Sequence, residues 1–538
     1  MENLPVTTGA DIIAQALYKS GVRYAFGIPG GEVLALVDAL VRTGIQFVIA
    51  RHENAAGFMA EGAYRATGAP GVLVATVGPG VANGLNSVAN AAQERVPLIV
   101  LTGKVPEEET LTYTHQIFDH QAALRPFVKA SFEARIGACD LVIDKAVAIA
   151  TSNRPGAVHI DLPIPVANAD HAPHRSAPDI IPAPLAPASG IATETAQKRF
   201  SAAERPIIVA GQDLLNEEGG PDAVAAFATK HNIPVVTTYK AKGVLAEEHS
   251  LSLGGHGLSP KSDAIILPLL AQSDCVICAG YDPIEMRMGW RDPFAPGTAI
   301  SFVQAQNDHF MHREDILITV PSAQGLVLFD GLEPTAVWPD GAPAKARADL
   351  SAAFGQTDAW TPASLYHTLN DALPRDIAVT VDSGAHRILW SQIMTCTRPN
   401  QLLQSTGLCT MGCALPLATG HALASGKPVV AVMGDGCLDM VLGELATLRD
   451  LALPVTVVVV VDGSYSLIAH KQRGEGYQSA GVDFGVTDYA ATAQAMGIAS
   501  STARDAEALR NTVQDAIHSG KPTLIAVPMP RGAYHTQI

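Results

Sequence analysis

Two aspartates carry the strongest chemical signal in this sequence. Gly434-Asp435-Gly436 follows the apolar run PVVAVM and precedes the helical pattern LDMVLGELATLRDL. Gly434 and Gly436 let the backbone approach an anion, and a helix N-terminus offers unpaired N–H groups. Asp435 between them would repel a phosphate unless a cation lay between the two. Magnesium suits that place, because it takes oxygen ligands and bridges phosphates through one or two carboxylates. A second oxygen ligand is then expected at a neighbouring strand end, and Asp462 closes the run VTVVVVVD 27 positions later. A lone Gly-Asp-Gly reads as a β-turn. The second strand-end aspartate makes a diphosphate and metal site the better reading.

A third carboxyl group, Glu53 in FVIARHENAAGFMAEG, comes straight after a strand and opens a helix of small residues. Acids are common there because they oppose the helix dipole. A partly buried carboxyl at such a point can also serve in proton transfer.

These residues need elements to hold them. VRYAFGIPG, FVIARHE, GVLVATVGPG and PLIVLTG alternate with helical patterns in the first third of the chain; PIIVAGQD, PVVTTY, CVICAGYDP and AISFVQ do so in the middle; IAVTVDSG, PVVAVMGDG, PVTVVVVVDG and PTLIAVPMP do so in the last. Serial strand–turn–helix units predict an α/β protein of three doubly wound parallel-sheet domains, with ligands beyond the carboxyl ends of the strands. Pro- and Ala-rich stretches mark linkers at 167–189 and 333–360. The expected domains are therefore 1–166, 190–332 and 361–538.

The chain has 538 residues, 48% of them hydrophobic and 16% charged, a composition for large cores. A formal net charge of −16 with no basic tract excludes a nucleic-acid surface and leaves anion binding to local donors. The N-terminus lacks the pattern of a signal peptide and no apolar run reaches membrane-spanning length, so a cytoplasmic protein without membrane contact is expected. The seven cysteines lack metal-ligand spacing and read as reduced, buried thiols.

The segment from Gly434 to Ser464 resembles the thiamine-diphosphate motif, with Val461-Asp462 where that motif ends in two asparagines. RHENAAGFMAEGAYRATG resembles the activating-glutamate segment of the acetolactate synthases. Val-Asp and the following YSLIAHKQRGEGYQSAGVDFG resemble the catabolic, flavin-free members most. The resemblance implies thiamine diphosphate held through Mg²⁺, with FAD not expected. Asp435, Asp462 and the Ser464 carbonyl would ligate the metal. Gly434, Gly436, Cys437, Ser466, Leu467 and Ile468 would line the diphosphate, joined by Ser383, Gly384 and His386 of DSGAHRILW. Glu53 would activate the aminopyrimidine, with Gly30 and Asn83 beside it and Met411 of TGLCTMGCALPLATG as an apolar wedge beneath the cofactor. Gln116 would face the substrate, near Gly31, His115 and Lys129.

The implied reaction is decarboxylation of a 2-oxo acid, pyruvate by preference, and carboligation to a second carbonyl. The alternative is another thiamine-dependent decarboxylase, lyase or acetyltransferase. His470 and Lys471 stand where acetolactate synthases carry Gln and often Trp, which suggests an anionic acceptor. A homodimer core, assembled as a homotetramer, is expected. The middle third resembles a dinucleotide-binding domain, but its first turn reads GQDLLNEEGG instead of Gly-x-Gly-x-x-Gly. Arg287 and Arg291 are its candidate anion contacts.

Overall fold

The structure is a computed structural model that describes residues 7–112, 114–171, 185–282, 286, 288–305, 315–357 and 359–538. It contains three six-stranded sheets, every pairing parallel. The first comprises β1 (Tyr24–Gly27), β2 (Gln46–Ile49), β3 (Gly71–Ala75), β4 (Leu98–Lys104), β5 (Ala130–Glu133) and β6 (Val158–Pro163), ordered β2-β1-β3-β4-β6-β5. The second comprises β7 (Pro206–Ala210), β8 (Val235–Thr238), β9 (Ser252–His256), β10 (Cys275–Ala279), β11 (Ala299–Phe302) and β12 (Ile316–Ile318), ordered β12-β11-β10-β7-β8-β9. The third comprises β13 (Ala378–Val381), β14 (Leu402–Gln404), β15 (Val429–Gly434), β16 (Val455–Val461), β17 (Ala499–Thr502) and β18 (Thr523–Pro528), ordered β14-β13-β15-β16-β18-β17.

The first and third sheets share one strand order. The middle sheet instead has the order 3-2-1-4-5-6 of dinucleotide-binding domains. Parallel strands covered by helices on both faces must be apolar throughout, and β16 shows why. Its seven residues are all buried. Val458 and Val460 enter one core layer, and Val455, Val457, Val459 and Val461 enter the other. Cys275 and Cys278 likewise fall in opposite layers of the middle domain. All seven cysteines are free; six are buried and Cys409 is exposed.

Two expected boundaries need correction. The limit at 166 falls inside the helix Ile164–Asn168, and Asp170 still bridges to Thr8 of the first domain. The stretch 333–360 is not a loose connection, because it carries the helix Ala342–Ala353. Trp338 there packs into the middle core and donates its indole N–H to the Pro206 carbonyl at 2.7 Å, while Phe354 packs into the third.

The first and third domains meet through two small-residue helices, Glu53–Thr67 and Ala414–Ser425. A Cβ on Gly420 would lie 1.9 Å from the Met59 carbonyl oxygen, and one on Gly62 would lie 2.2 Å from that of Leu417. Neither backbone can yield without parting the helices. Gly420→Ala is therefore expected to destabilise the protein by about 1–3 kcal/mol or more. The check is its thermal unfolding midpoint, and an unchanged midpoint would contradict the packing argument.

Candidate active site

At the carboxyl ends of β13, β15 and β16, three turns converge. Asp435 follows β15, is 2% exposed, and is fixed by three backbone N–H groups. Its Oδ1 accepts from Gly436 at 2.9 Å, and its Oδ2 accepts from Asp462 at 3.1 Å and Gly463 at 2.7 Å. Asp462 follows β16; its carboxylate accepts from the Ser464 N–H at 3.1 Å and from the Ser466 hydroxyl. Burial raises the carboxyl of Asp435 above its ordinary range. Burial, and then the neighbouring Asp435, push Asp462 up to about 6 against the Ser466 hydrogen bond. Two neighbouring, buried carboxylates call for a cation.

Among the described residues, no backbone N–H donates to the Ser464 carbonyl. Those of Gly463 and Tyr465 are taken by Phe484 and by Ile468 and Ala469. No group of three His, Cys, Asp or Glu side chains able to hold a metal occurs among the described residues. Two carboxylates and a carbonyl that accepts from no described backbone N–H therefore lie close together in these turns.

Across from them lies the turn after β13. Asp382 is buried and accepts from the N–H groups of Ser383 at 2.8 Å, Gly412 at 2.8 Å and Ala414 at 2.9 Å. It ties the Ser383 turn to the Met411 segment. The Ser383 Oγ and His386 Nε2 are buried without a hydrogen-bond partner. Burial, helped by Arg387, lowers His386 to about 3, so its ring is neutral. Orphaned polar atoms cost free energy unless a ligand satisfies them. The His386 ring also packs 2.5 Å from a Cβ placed on Gly384, which excludes a side chain there, and 3.3 Å from one on Gly434, which leaves little room for one. Cys437 is buried and directs its thiol to the Ser383 carbonyl at 3.3 Å. A hydroxyl, an imidazole and two carboxylates thus border one small-residue cradle, which suits a diphosphate.

Glu53 lies after β2, 5% exposed, at the head of its helix. Its Oε2 accepts from the Asn83 amide at 3.0 Å, and its Oε1 lies 3.2 Å from a Cβ placed on Gly80. The turn before it is held from the third domain, where buried Glu444 accepts the N–H groups of Arg51 at 2.8 Å and His52 at 3.1 Å. Gln116 has φ of 59° and packs over Gly78, where a Cβ would meet its carbonyl oxygen at 2.5 Å.

Comparison with known proteins decides what this geometry belongs to. Residues 7–123, 193–323 and 382–527 match the models of the N-terminal TPP binding, central and C-terminal TPP binding domains of thiamine pyrophosphate enzymes. The chain is 30% identical to the acetolactate synthase isozyme 1 large subunit of Escherichia coli (strain K12), covering 99% of this chain and 97% of that one. It is 28% identical to an acetolactate synthase of Bacillus subtilis (strain 168), covering 98% and 94%. It is 29% identical to a catabolic acetolactate synthase of Raoultella terrigena, covering 97% and 95%. This chain belongs to the acetolactate synthase-like family of thiamine-diphosphate-dependent enzymes.

As a thiamine-diphosphate-dependent enzyme, its sequence-predicted residues fall into groups. Asp435, Asp462, Ser464, Ser466, Gly434, Gly436, Cys437, Ser383, Gly384 and His386 come together at the third sheet. Leu467 packs on the core of that domain, whereas Ile468 is 47% exposed. Glu53, Asn83, Gly30 and Gln116 line the ends of the first sheet, with Gly31 and His115 exposed nearby.

Several expectations need correction. Lys129 is engaged elsewhere, its Nζ donating to the carbonyls of Ile149 at 2.5 Å and Ser152 at 2.7 Å, where it caps the helix Cys139–Thr151. His470 is turned to the C-terminal segment, with its Nδ1 3.1 Å from that of His535. Lys471 is exposed. The single helix expected after Gly436 is two, Asp435–Asp439 and Glu444–Asp450. Arg287 lies outside the described residues, and Arg291 is exposed.

Sequence reading missed a polar network beside Gln116. A cleft of about 430 Å³ is bordered by Gln116, Phe118, His120, Lys104, Glu133 and Asp161. His120 accepts the Gly78 N–H at 3.3 Å through Nε2 and donates from Nδ1 to Asp161 at 2.8 Å; Asp161 also accepts from the Thr102 hydroxyl at 2.7 Å. His120 and Asp161 are 41 positions apart, and only the packing of the helix His120–Leu124 against β6 joins them. No helix among the described residues is long and apolar enough to cross a membrane.

Proposed function

We propose that this enzyme decarboxylates a 2-oxo acid, pyruvate by preference, and joins the remaining acyl unit to a second carbonyl, with thiamine diphosphate bound through Mg²⁺. The observation that carries this reading is the pair of buried, interacting carboxylates, Asp435 and Asp462, close to the unsatisfied Ser383 hydroxyl and His386 imidazole. Asp435, Asp462 and the Ser464 carbonyl hold the metal, and Ser383, His386 and the Gly434–Cys437 backbone meet the diphosphate. Thiamine diphosphate supplies a carbon nucleophile and an electron sink for the lost carboxylate.

The chain's own side chains do the rest. Glu53 exchanges a proton with the pyrimidine ring, oriented by Asn83. Met411 packs beneath the cofactor, and Gln116 orients the substrate. Because the net charge of −16 opposes anions at long range, these local donors must do the holding.

Asp462 gives the metal reading a pH signature. Below about pH 6 its carboxyl is protonated and must lose that proton to bind a cation. Affinity for Mg²⁺ in the presence of thiamine diphosphate should fall up to about tenfold per pH unit below 6 and level off above it. Calorimetric titration across that range checks this, and a flat profile would oppose the assignment.

The middle domain is read as flavin-free. At its topological switch point a Cβ on Gly211 would lie 2.5 Å from the Tyr281 Cα, so the turns after β7 and β10 are in backbone contact. Asp213 and Asp282 follow those turns, paired with Arg154 at 2.6 Å and Arg95 at 2.5 Å from the first domain. A dinucleotide diphosphate would face these carboxylates. The purified enzyme is expected to show no visible flavin absorbance.

A second reading keeps the same cofactor site and changes the acceptor. Lys471 lies on the helix Ser466–Gly474 directly after the metal turn, and its charge favours an acetyltransferase or lyase with an anionic substrate. Lys471→Gln separates the two readings. An exposed lysine is worth about 0.2–1 kcal/mol, so an anionic acceptor should show up to about a fivefold higher KM and a neutral acceptor none. Equal KM values for both would reject the charge role.

Assembly is read as a homodimer core within a homotetramer. Met440, Tyr465, Ile468, Tyr477 and Val486 are exposed around the diphosphate turns, an apolar rim of the kind a second copy covers. A fully active monomer in sedimentation would contradict it. The experiment that tests the reaction is the ratio of 2-oxo acid consumed to CO₂ released. Self-ligation consumes two acids per CO₂, and plain decarboxylation consumes one.

A further inference from the structure

A second set of buried charges converges on the segment that leads to Met411, and it comes from all three domains. Glu94 ends the helix Pro79–Gln93 of the first domain and is 1% exposed. Its Oε1 accepts the N–H of Thr406 at 2.6 Å and of Gly407 at 2.8 Å in the third domain, and its Oε2 pairs with Lys240 of the middle domain. Lys240 is 4% exposed and donates from Nζ to the Gln404 carbonyl at 2.8 Å. Between these contacts, the Ser405 hydroxyl donates to the Asn90 side chain at 2.6 Å. Consecutive peptides from 404 to 407 are thus held by one buried ion pair and its neighbours. Asp382 holds the far end at Gly412 and Ala414.

We infer that Lys240 and Glu94 are positioning residues, a clamp through which the middle domain fixes the segment 404–412 and with it Met411 and the Asp382 turn. This rests on the reading of Met411 as the residue packed beneath the cofactor. It gives the middle domain a part in catalysis that needs no bound nucleotide. The ion pair suits that work because its partners are desolvated and cannot be exchanged for water. Burial pushes the Glu94 carboxyl up, but Lys240 and the backbone N–H bonds overcome this, and it stays below its ordinary value. Removing either partner leaves the other buried without its ion-pair partner, with only Arg65 near Glu94 or Glu61 near Lys240 to offset the charge, so the segment is expected to shift before the domains part. The helix Pro79–Gln93 also carries Asn83, which orients Glu53, so a shift at Glu94 can reach both halves of the cofactor site.

The test compares Lys240→Met and Met411→Ala in the full-length enzyme loaded with thiamine diphosphate and Mg²⁺. Displacements of about 1 Å cost up to about a hundredfold in rate. For folded Lys240→Met the expected results are a kcat lowered tenfold to a hundredfold with KM changed little, slower exchange of the bound cofactor's C2 proton for deuterium, and faster amide exchange confined to 404–412. Lys240→Arg, which keeps the charge, should recover part of the kcat. A purely structural role would lower the unfolding midpoint and leave the C2 exchange rate of the folded fraction unchanged, and that result overturns the clamp. If Lys240→Met does not fold, Lys240→Gln, which keeps a donor and loses the charge, is read the same way. If Met411→Ala itself leaves C2 exchange intact, the wedge reading has failed. If Met411→Ala slows exchange and the Lys240 variants do not, the clamp has failed and the wedge stands.

Discussion

Glu53→Gln is expected to retain metal-dependent binding of thiamine diphosphate and to lose turnover by about 10²–10⁴-fold, the range of a general acid–base contribution. The replacement keeps the size of the side chain and an oxygen for the Asn83 amide, which lies 3.0 Å from Glu53 in the native protein. Its backbone anchors also survive, because the Arg51 and His52 N–H groups bind Glu444 and do not depend on residue 53. What the variant lacks is a titratable proton at a buried site. Steady-state turnover with calorimetric cofactor binding separates the two effects. Near-normal turnover would show that proton exchange with the pyrimidine ring goes through another group.

The second large effect belongs to Asp435. Its carboxylate is the proposed metal ligand and also the acceptor that gathers the Gly436, Asp462 and Gly463 N–H groups. Asp435→Ala removes the ligand and leaves three buried donors unpaired. Cofactor affinity should fall by more than the roughly 10–100-fold typical of losing a group behind a metal ligand. Asp462→Asn should fare better, because an amide oxygen still fits Mg²⁺ and can still accept the Ser464 N–H. Chelating the divalent metal from the native enzyme should release thiamine diphosphate. Cofactor affinity that is insensitive to chelation would rule out the bridge between the two carboxylates and the diphosphate.

The cofactor site was legible in the sequence where one strand end supplies a residue directly. Gly434-Asp435-Gly436, Asp462 and Glu53 each sit at such a point, and so do Ser383 and His386. Apart from the edge strand β2, the strands that could be read were central ones, because burial on both faces makes them continuously apolar, as in Val455–Val461. The strands that escaped were of two kinds. β12 and β14 are three residues long at sheet edges, and the edge strands β5, β9 and β17 read ASFE, SLGGH and ASST. β6 is fully buried but carries His159 and Asp161, whose hydrogen bonds to Ser131 and Thr102 remove the cost that an apolar pattern would have signalled.

Long-range pairings were illegible for a different reason. Glu94 with Lys240, His120 with Asp161, and His470 with His535 depend on which strands and domains lie side by side, and nothing local in the chain encodes that. Lys129 shows the converse. Its position in a familiar pattern pointed to the pocket, yet the nearest unsatisfied carbonyls, at the end of the helix Cys139–Thr151, are what it binds.

The most direct test of the central claim is release of labelled CO₂ from a carboxyl-labelled 2-oxo acid by the purified enzyme, pyruvate first, with thiamine diphosphate and Mg²⁺ each present or omitted. The account predicts release that requires both, with a new carbon–carbon bond in the product. No release from pyruvate or any other 2-oxo acid by enzyme that has bound both would contradict it.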